Sequence, residues 1–78
     1  MTPQEAFGEV LKQARKQKGI SQEKLALNSD LDRTFISLIE RGKRQPSLIP
    51  ILLLSVGLGI PADELIKQTT DLIRKGNI

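Results

Sequence analysis

The sequence contains no cysteine and no histidine. Without cysteine, neither a disulfide nor a thiolate metal site can help to stabilise the fold. Without histidine, the chain also lacks the commonest general base and a common ligand of transition metals. No spacing typical of a metal site, a nucleophile–base pair or a phosphate-binding glycine loop is present either. We therefore expect no metal, no cofactor and no enzymatic activity.

Long apolar runs are also scarce. The longest, residues 48–60, is too short to span a bilayer and is interrupted by Pro50, Gly57 and Gly59. The first ten residues, MTPQEAFGEV, include acidic side chains and no apolar run, unlike a secretory signal. The chain has 78 residues, of which 38% are apolar, so it can form one modest core. We expect a single domain over residues 1–78, a cytoplasmic location and no membrane partner.

The positive charge is concentrated in the first half of the chain. The formal net charge is +3, and residues 1–44 carry all of this excess, whereas residues 45–78 are balanced. An uneven positive field suits a polyanionic partner such as a nucleic acid. The same charge is also compatible with the ordinary solvated surface of a small domain, so the partner has to be inferred from motifs.

Residues 21–42 have the pattern of two short helices joined by a tight turn. Ser21 and Asp32 each precede a helical run, and their side-chain oxygens can accept an otherwise unpaired backbone N–H. Asp30 lies in the turn and is one of the few residue types besides glycine that tolerate a positive φ. The apolar side chains expected to face one core are Leu25, Ala26, Leu31, Ile36 and Ile39.

Hydrophobic periodicity and capping residues predict an all-α fold of five helices. The expected helices cover about residues 3–18, 22–28, 33–41, 47–57 and 62–75. Thr2 is expected to cap helix 1, which has a single apolar face at the i, i+3, i+4 and i+7 positions. Further core residues are expected on the first helix and the last two: Phe7, Val10, Leu11, Ala14, Leu48, Ile51, Leu54, Leu58, Leu65 and Ile66.

Several short motifs together resemble the lambda-repressor-like (XRE-type) helix-turn-helix regulators. The matching residues are Arg15 with Gly19, Ser21-Gln22-Glu23 with Leu25-Ala26, residues 33–37, Ile39-Glu40-Arg41-Gly42, Pro46-Ser47-Leu48, Leu58-Gly59-Ile60 and Leu65. The resemblance covers roughly residues 5–66 and implies a compact five-helix DNA-binding domain. Within the family, residues 31–37 look most like the controller proteins of restriction-modification systems.

The resemblance implies which residues contact DNA. A recognition helix presents its N-terminal side chains to base edges, where arginine reads guanine and threonine contacts the thymine methyl. We expect base contacts from Arg33 and Thr34, supported by Phe35 and Ser37. The expected phosphate contacts are Gln22, Arg41, Lys43 and Arg44. For these four residues, an ordinary solvated surface is the alternative interpretation.

The resemblance also implies an ion pair between Arg15 and Glu40 that would join helices 1 and 3. A solvated Arg15 is the alternative. Leu38 could complete the core or lie exposed at an interface.

Helix 4 carries more apolar side chains than one small core can bury. Such a surplus indicates a second packing surface, most simply with a second copy of the chain. We expect a dimer interface mainly within residues 47–75. Its expected residues are Ile49, Leu52, Leu53, Val56, Thr69, Leu72 and Ile73.

The function predicted from these features is a sequence-specific transcriptional regulator that binds a pseudo-palindromic operator as a homodimer. This mode of action fits both restriction-modification controller proteins and small phage-type repressors. RNA polymerase is a further candidate partner, and no small-molecule ligand is expected. The alternative is an antitoxin-like protein-interaction module with the same fold, which would not need Arg33, Thr34 and the cations of residues 41–44 together.

Overall fold

The computed structural model describes residues 1–76, which form five α-helices and no strand. The helices are α1 (Pro3–Gln17), α2 (Gln22–Ser29), α3 (Arg33–Glu40), α4 (Leu48–Leu58) and α5 (Ala62–Lys75). The predicted all-α fold is confirmed, and each helix boundary lies within one residue of its expected position. Local signals were therefore sufficient to define the elements.

The N-terminus of α1 has a reciprocal cap. The Thr2 hydroxyl accepts a hydrogen bond from the Glu5 backbone N–H at 3.1 Å, and the Glu5 carboxylate accepts one from the Thr2 backbone N–H at 2.8 Å. The bond that the Glu5 carboxylate accepts from the Thr2 backbone N–H lowers the pKa of Glu5, because it favours the charged form. Thr2 was expected to cap α1, whereas the return bond from Glu5 was not anticipated.

The core lies between all five helices. Helix α1 packs against α3 and α5, α2 packs against α3 and α4, and α4 also contacts α5. The buried core cluster consists of Phe7, Val10, Leu11, Ala14, Leu25, Ala26, Ile36, Ile39, Leu54, Leu58 and Leu65. Leu31 and Ile51 pack against it and are partly buried. The apolar faces expected on α1, α2 and α3 are thus confirmed.

Two residues expected in the core are instead on the surface. Leu48 is 67% exposed and Ile66 is 45% exposed. Leu48 opens α4, so its side chain lies at the end of the helix, where no neighbouring helix covers it. Leu38 is half-buried and is not part of the core cluster.

Two glycines allow helices to approach closely. A Cβ at Gly8 of α1 would collide with the backbone carbonyl oxygen of Ile39 on α3. A Cβ at Gly57 of α4 would collide with the hydroxyl of Ser29 on α2. Both crossings are therefore closer than a side chain permits, and they hold α2 and α3 tightly against the rest of the fold.

Within residues 1–76, no single helix is both long and apolar enough to cross a membrane. By length and composition alone, α4 and α5 qualify only when they are taken together, and a bend of 106° separates them.

Candidate nucleic-acid interface

Helices α2 and α3 form a helix-turn-helix whose geometry is fixed by local hydrogen bonds. Ser21 Oγ accepts from the Lys24 N–H at 3.0 Å, and Asp32 Oδ1 accepts from the Thr34 N–H at 3.2 Å. Between them, Asp30 has φ 57° and ψ 41°, the left-handed conformation expected for the turn. The Leu31 N–H then bonds back to the Ala26 carbonyl at 3.0 Å. Both caps and the turn residue are confirmed.

Helix α3 is anchored on one side and open on the other. Ile36 and Ile39 are fully buried and attach the helix to the core. Arg33 and Thr34 are exposed on its first turn, and Ser37 follows one turn later and is half-buried. A helix fixed from one side with polar side chains on the opposite side can enter a groove without losing its own packing.

Phe35 has a different position from its neighbours. It is partly buried against the core, and the guanidinium of Arg44 lies 5.7 Å from the centre of its ring. This distance is within the range of a cation–π contact. Phe35 therefore contacts the loop after α3, which places Arg44 beside α3. No periodic signal in the sequence links these two residues, because Arg44 lies in a loop.

The loop after α3 is held by hydrogen bonds to α3 and to α1. Gly42 has φ 72°, and the Lys43 N–H closes the end of the helix by donating to the Leu38 carbonyl at 2.8 Å. The Gly42 carbonyl in turn accepts a hydrogen bond from Gln4 Nε2 of α1 at 2.6 Å. The cations of this loop, Arg41, Lys43 and Arg44, are all exposed. The arrangement presents three positive charges from a well-anchored segment.

A buried ion pair links α1 to the end of α3. Arg15 Nε lies 2.7 Å from Glu40 Oε2, and Arg15 Nη2 lies 3.1 Å from Glu40 Oε1. Arg15 Nη1 also donates to the Ile20 carbonyl at 2.8 Å. The side chains of Arg15 and Glu40 are only 12% and 3% exposed. The two residues expected to pair are thus in bidentate contact.

Gln22 joins the same group, which the sequence did not indicate. It is the first residue of α2, and its Nε2 donates to Glu40 Oε1 at 3.0 Å. The side chain is half-buried rather than free on the surface. The phosphate contact expected of Gln22 would therefore have to form while its amide also bonds to Glu40.

The outer surface of α4 is apolar. Ile49, Leu52 and Val56 are exposed, with 75% of Val56 accessible, and Leu53 is half-buried. Helix α5 contributes less to this exposed apolar surface than was expected. Ile73 is half-buried, but Leu72 packs against the core.

Thr69 is buried, and its hydroxyl donates to the Leu65 carbonyl at 2.8 Å. Thr69 and Leu72 are therefore largely covered by their own chain, which leaves little of either side chain for the dimer contact expected of them.

Residues 1–76 contain no cluster of acidic side chains that could hold a metal ion. The exposed cations and hydroxyls on and beside α3, among them Arg33, Thr34 and Arg44, can donate to base edges and phosphate oxygens.

A family model described as helix-turn-helix, HTH_3, matches residues 11–65. The chain belongs to the helix-turn-helix family. Control protein C.MunI from Mycoplasma sp. is 52% identical to it over 60 residues, which cover 76% of this chain and 81% of the relative. Control protein C.BamHI from Bacillus amyloliquefaciens is 48% identical over 65 residues, covering 82% and 80% of the two chains.

A solved structure supports the same assignment. The restriction-modification controller protein C.AhdI from Aeromonas hydrophila shares 46% sequence identity and a TM-score of 0.76, covering 78% of this chain and 92% of that one. The chain is therefore an XRE-type, DNA-binding helix-turn-helix regulator similar to restriction-modification controller proteins. This family consists of regulators rather than enzymes.

Proposed function

We propose that this helix-turn-helix protein is a cytoplasmic controller of a restriction-modification system that binds a pseudo-palindromic operator as a homodimer. The observation that carries the proposal is the exposed first turn of α3, Arg33 and Thr34, beside the exposed cations of residues 41–44. The high identity to proteins named as control proteins supports the restriction-modification role. We assign it no catalytic activity.

In this proposal, α3 enters the major groove with its N-terminal end toward the bases. Arg33 would donate two hydrogen bonds to a guanine, and the Thr34 methyl would contact a thymine. Ser37 is close enough along the helix to support the readout, and Phe35 supports it by holding Arg44 beside α3. Arg41, Lys43, Arg44 and Gln22 would contact phosphates, which orient the helix without reading sequence.

The second copy of the chain is proposed to cover the apolar face of α4. Ile49, Leu52, Leu53 and Val56 form most of this surface, and Ile73 of α5 extends it. An exposed apolar face on a small domain is typical of a self-association site. The two recognition helices would then read half-sites about 34 Å apart, one turn of DNA. RNA polymerase is proposed as a further partner when the operator lies at a promoter.

The decisive experiment is selection of bound duplexes from a random DNA pool, with sedimentation of the same protein. A twofold-symmetric consensus together with a dimer is the expected result. Absence of any enriched sequence would refute the proposed operator binding, and a monomer at all concentrations would refute the homodimer.

Arg33→Ala provides a residue-level test in the same assay. Loss of one bidentate contact should weaken operator binding by about 1–3 kcal/mol and relax the preference at one base pair. Arg74→Ala is the matched control, because Arg74 is an equally charged and exposed residue on α5, away from α3. An unchanged consensus for Arg33→Ala would show that Arg33 does not read a base.

A further inference from the structure

Glu40 is a buried carboxylate shared by three helices. It closes α3, and it accepts two hydrogen bonds from Arg15 of α1 and one from Gln22 of α2. Burial of a carboxylate is unfavourable unless it is paired and hydrogen-bonded. Arg15 supplies the compensating charge, so a structural role for Glu40 needs only this pair. The bond to Gln22 is additional and needs a separate explanation.

The chemistry of the Gln22 amide suggests that explanation. Its Nε2 carries two hydrogens that point about 120° apart. One is directed to Glu40 Oε1 at 3.0 Å, which restricts the orientation of the amide. The other hydrogen then points away from the carboxylate. Gln22 is also the first residue of α2, where backbone N–H groups and the helix dipole favour an anion.

We propose that Glu40 is a positioning residue for DNA binding: it holds the Gln22 amide so that the second Nε2 hydrogen donates to a DNA phosphate. This inference rests on the proposed DNA-binding function. Arg15 neutralises Glu40, so the buried carboxylate does not repel the phosphate strongly. Since Glu40 is the last residue of α3, the same contact couples the phosphate anchor on α2 to the position of the recognition helix.

The two Nε2 hydrogens of Gln22 can be followed separately by NMR in the full-length protein. In the free protein, one hydrogen should exchange slowly with water and the other quickly. Addition of the duplex enriched in the selection experiment should slow the second hydrogen while the first stays protected. Gln13 and Gln68 are internal controls, because each donates to a glutamate on an exposed helix surface.

Two different outcomes would overturn the inference. If the backbone signals of Arg33 and Thr34 shift on DNA addition but the second Gln22 hydrogen still exchanges quickly, DNA binding stands and the positioning role fails. If no signal shifts with either the enriched duplex or a random duplex of the same length, the proposed function fails, and the positioning role fails with it.

A double-mutant cycle tests the coupling directly. Gln22→Ala should weaken operator binding about tenfold, the effect of losing one hydrogen bond to a charged group. Glu40→Gln keeps the shape of the side chain but removes its charge and one of the two oxygens that bond to Arg15 and Gln22, so it holds the Gln22 amide less firmly. We expect a similar loss for Glu40→Gln and no further loss in the double variant, whereas Gln68→Ala should bind normally.

Additive losses in the cycle, about a hundredfold in the double variant, would contradict the proposal. Thermal unfolding of each variant separates this effect from destabilisation. Gln22→Ala should bind more weakly without a matching loss of stability, because Arg15 still pairs with Glu40. If Glu40→Gln does not fold, the exchange experiment on the unmodified protein still decides between the two roles.

Discussion

Substitution of Gly8 by alanine should weaken the attachment of α3 to α1. The added Cβ would collide with the Ile39 carbonyl oxygen and would lie 3.1 Å and 3.3 Å from the Glu40 carbonyl oxygen and carbon. All three atoms belong to the backbone, so no side chain can rotate to make room. The helices themselves must separate, and α3 must move together with its exposed residues Arg33 and Thr34.

The magnitude follows from two opposing effects. Alanine is favoured over glycine inside a helix by about 1 kcal/mol. Overpacking of a tight contact typically costs about 1–3 kcal/mol and occasionally more, and rigid backbone atoms place this contact at or above the upper end. The free energy of unfolding should therefore fall by about 2 kcal/mol. For a domain of this size, that corresponds to a Tm lower by roughly 8–16 °C.

Thermal unfolding followed by circular dichroism measures this change, at one protein concentration so that any self-association is held constant. Gly76→Ala is the control, because Gly76 has φ −78° and its added Cβ would meet nothing closer than the Leu72 carbonyl oxygen at 3.5 Å. Helix propensity alone would raise the Tm of Gly8→Ala. An unchanged or raised Tm would therefore refute the close crossing of α1 and α3.

Three further predictions concern other parts of the molecule. Gly57→Ala should cost about 1–3 kcal/mol by colliding with the Ser29 hydroxyl, and Ser29→Ala should recover part of that loss; strictly additive unfolding energies would contradict this contact. Val56→Asp should give a folded monomer in sedimentation, whereas Gln68→Asp should leave a dimer; a dimer in both variants would exclude Val56 from the interface. The pKa of Glu5 is lowered below its ordinary 4.5, so its stabilising effect is present above that pH and is lost as the pH falls through the folded-state pKa. Glu5→Gln should therefore flatten the acid side of a stability–pH curve, and an unchanged curve would contradict the cap.

Much of the fold was predictable because its signals act over a few residues. Thr2, Ser21 and Asp32 cap helices through bonds to N–H groups two or three residues away. Asp30 adopts the left-handed conformation that its side chain tolerates. Such preferences depend on the immediate chain, and they define the helix-turn-helix independently of how the helices pack.

The burial of individual apolar residues was less predictable, because periodicity identifies a face but not what covers it. Leu54 and Leu58 were placed correctly, whereas Leu48 and Ile66 are exposed. Thr69 was expected to contact a second copy of the chain, but its own chain covers it. Each error lies on α4 or α5, and on α4 apolar residues occupy several faces that the sequence does not rank.

The sequence by itself determined the helices, their caps, the turn and the identity of the side chains on the first turn of α3, because these depend on contacts between near neighbours. Only the tertiary structure decided that Gln22 bonds to Glu40, that Arg44 lies over Phe35 and that Gly8 meets Ile39. These contacts join residues 9 to 31 positions apart in the chain. They depend on the distances and angles at which the helices pack, and no local preference specifies those quantities.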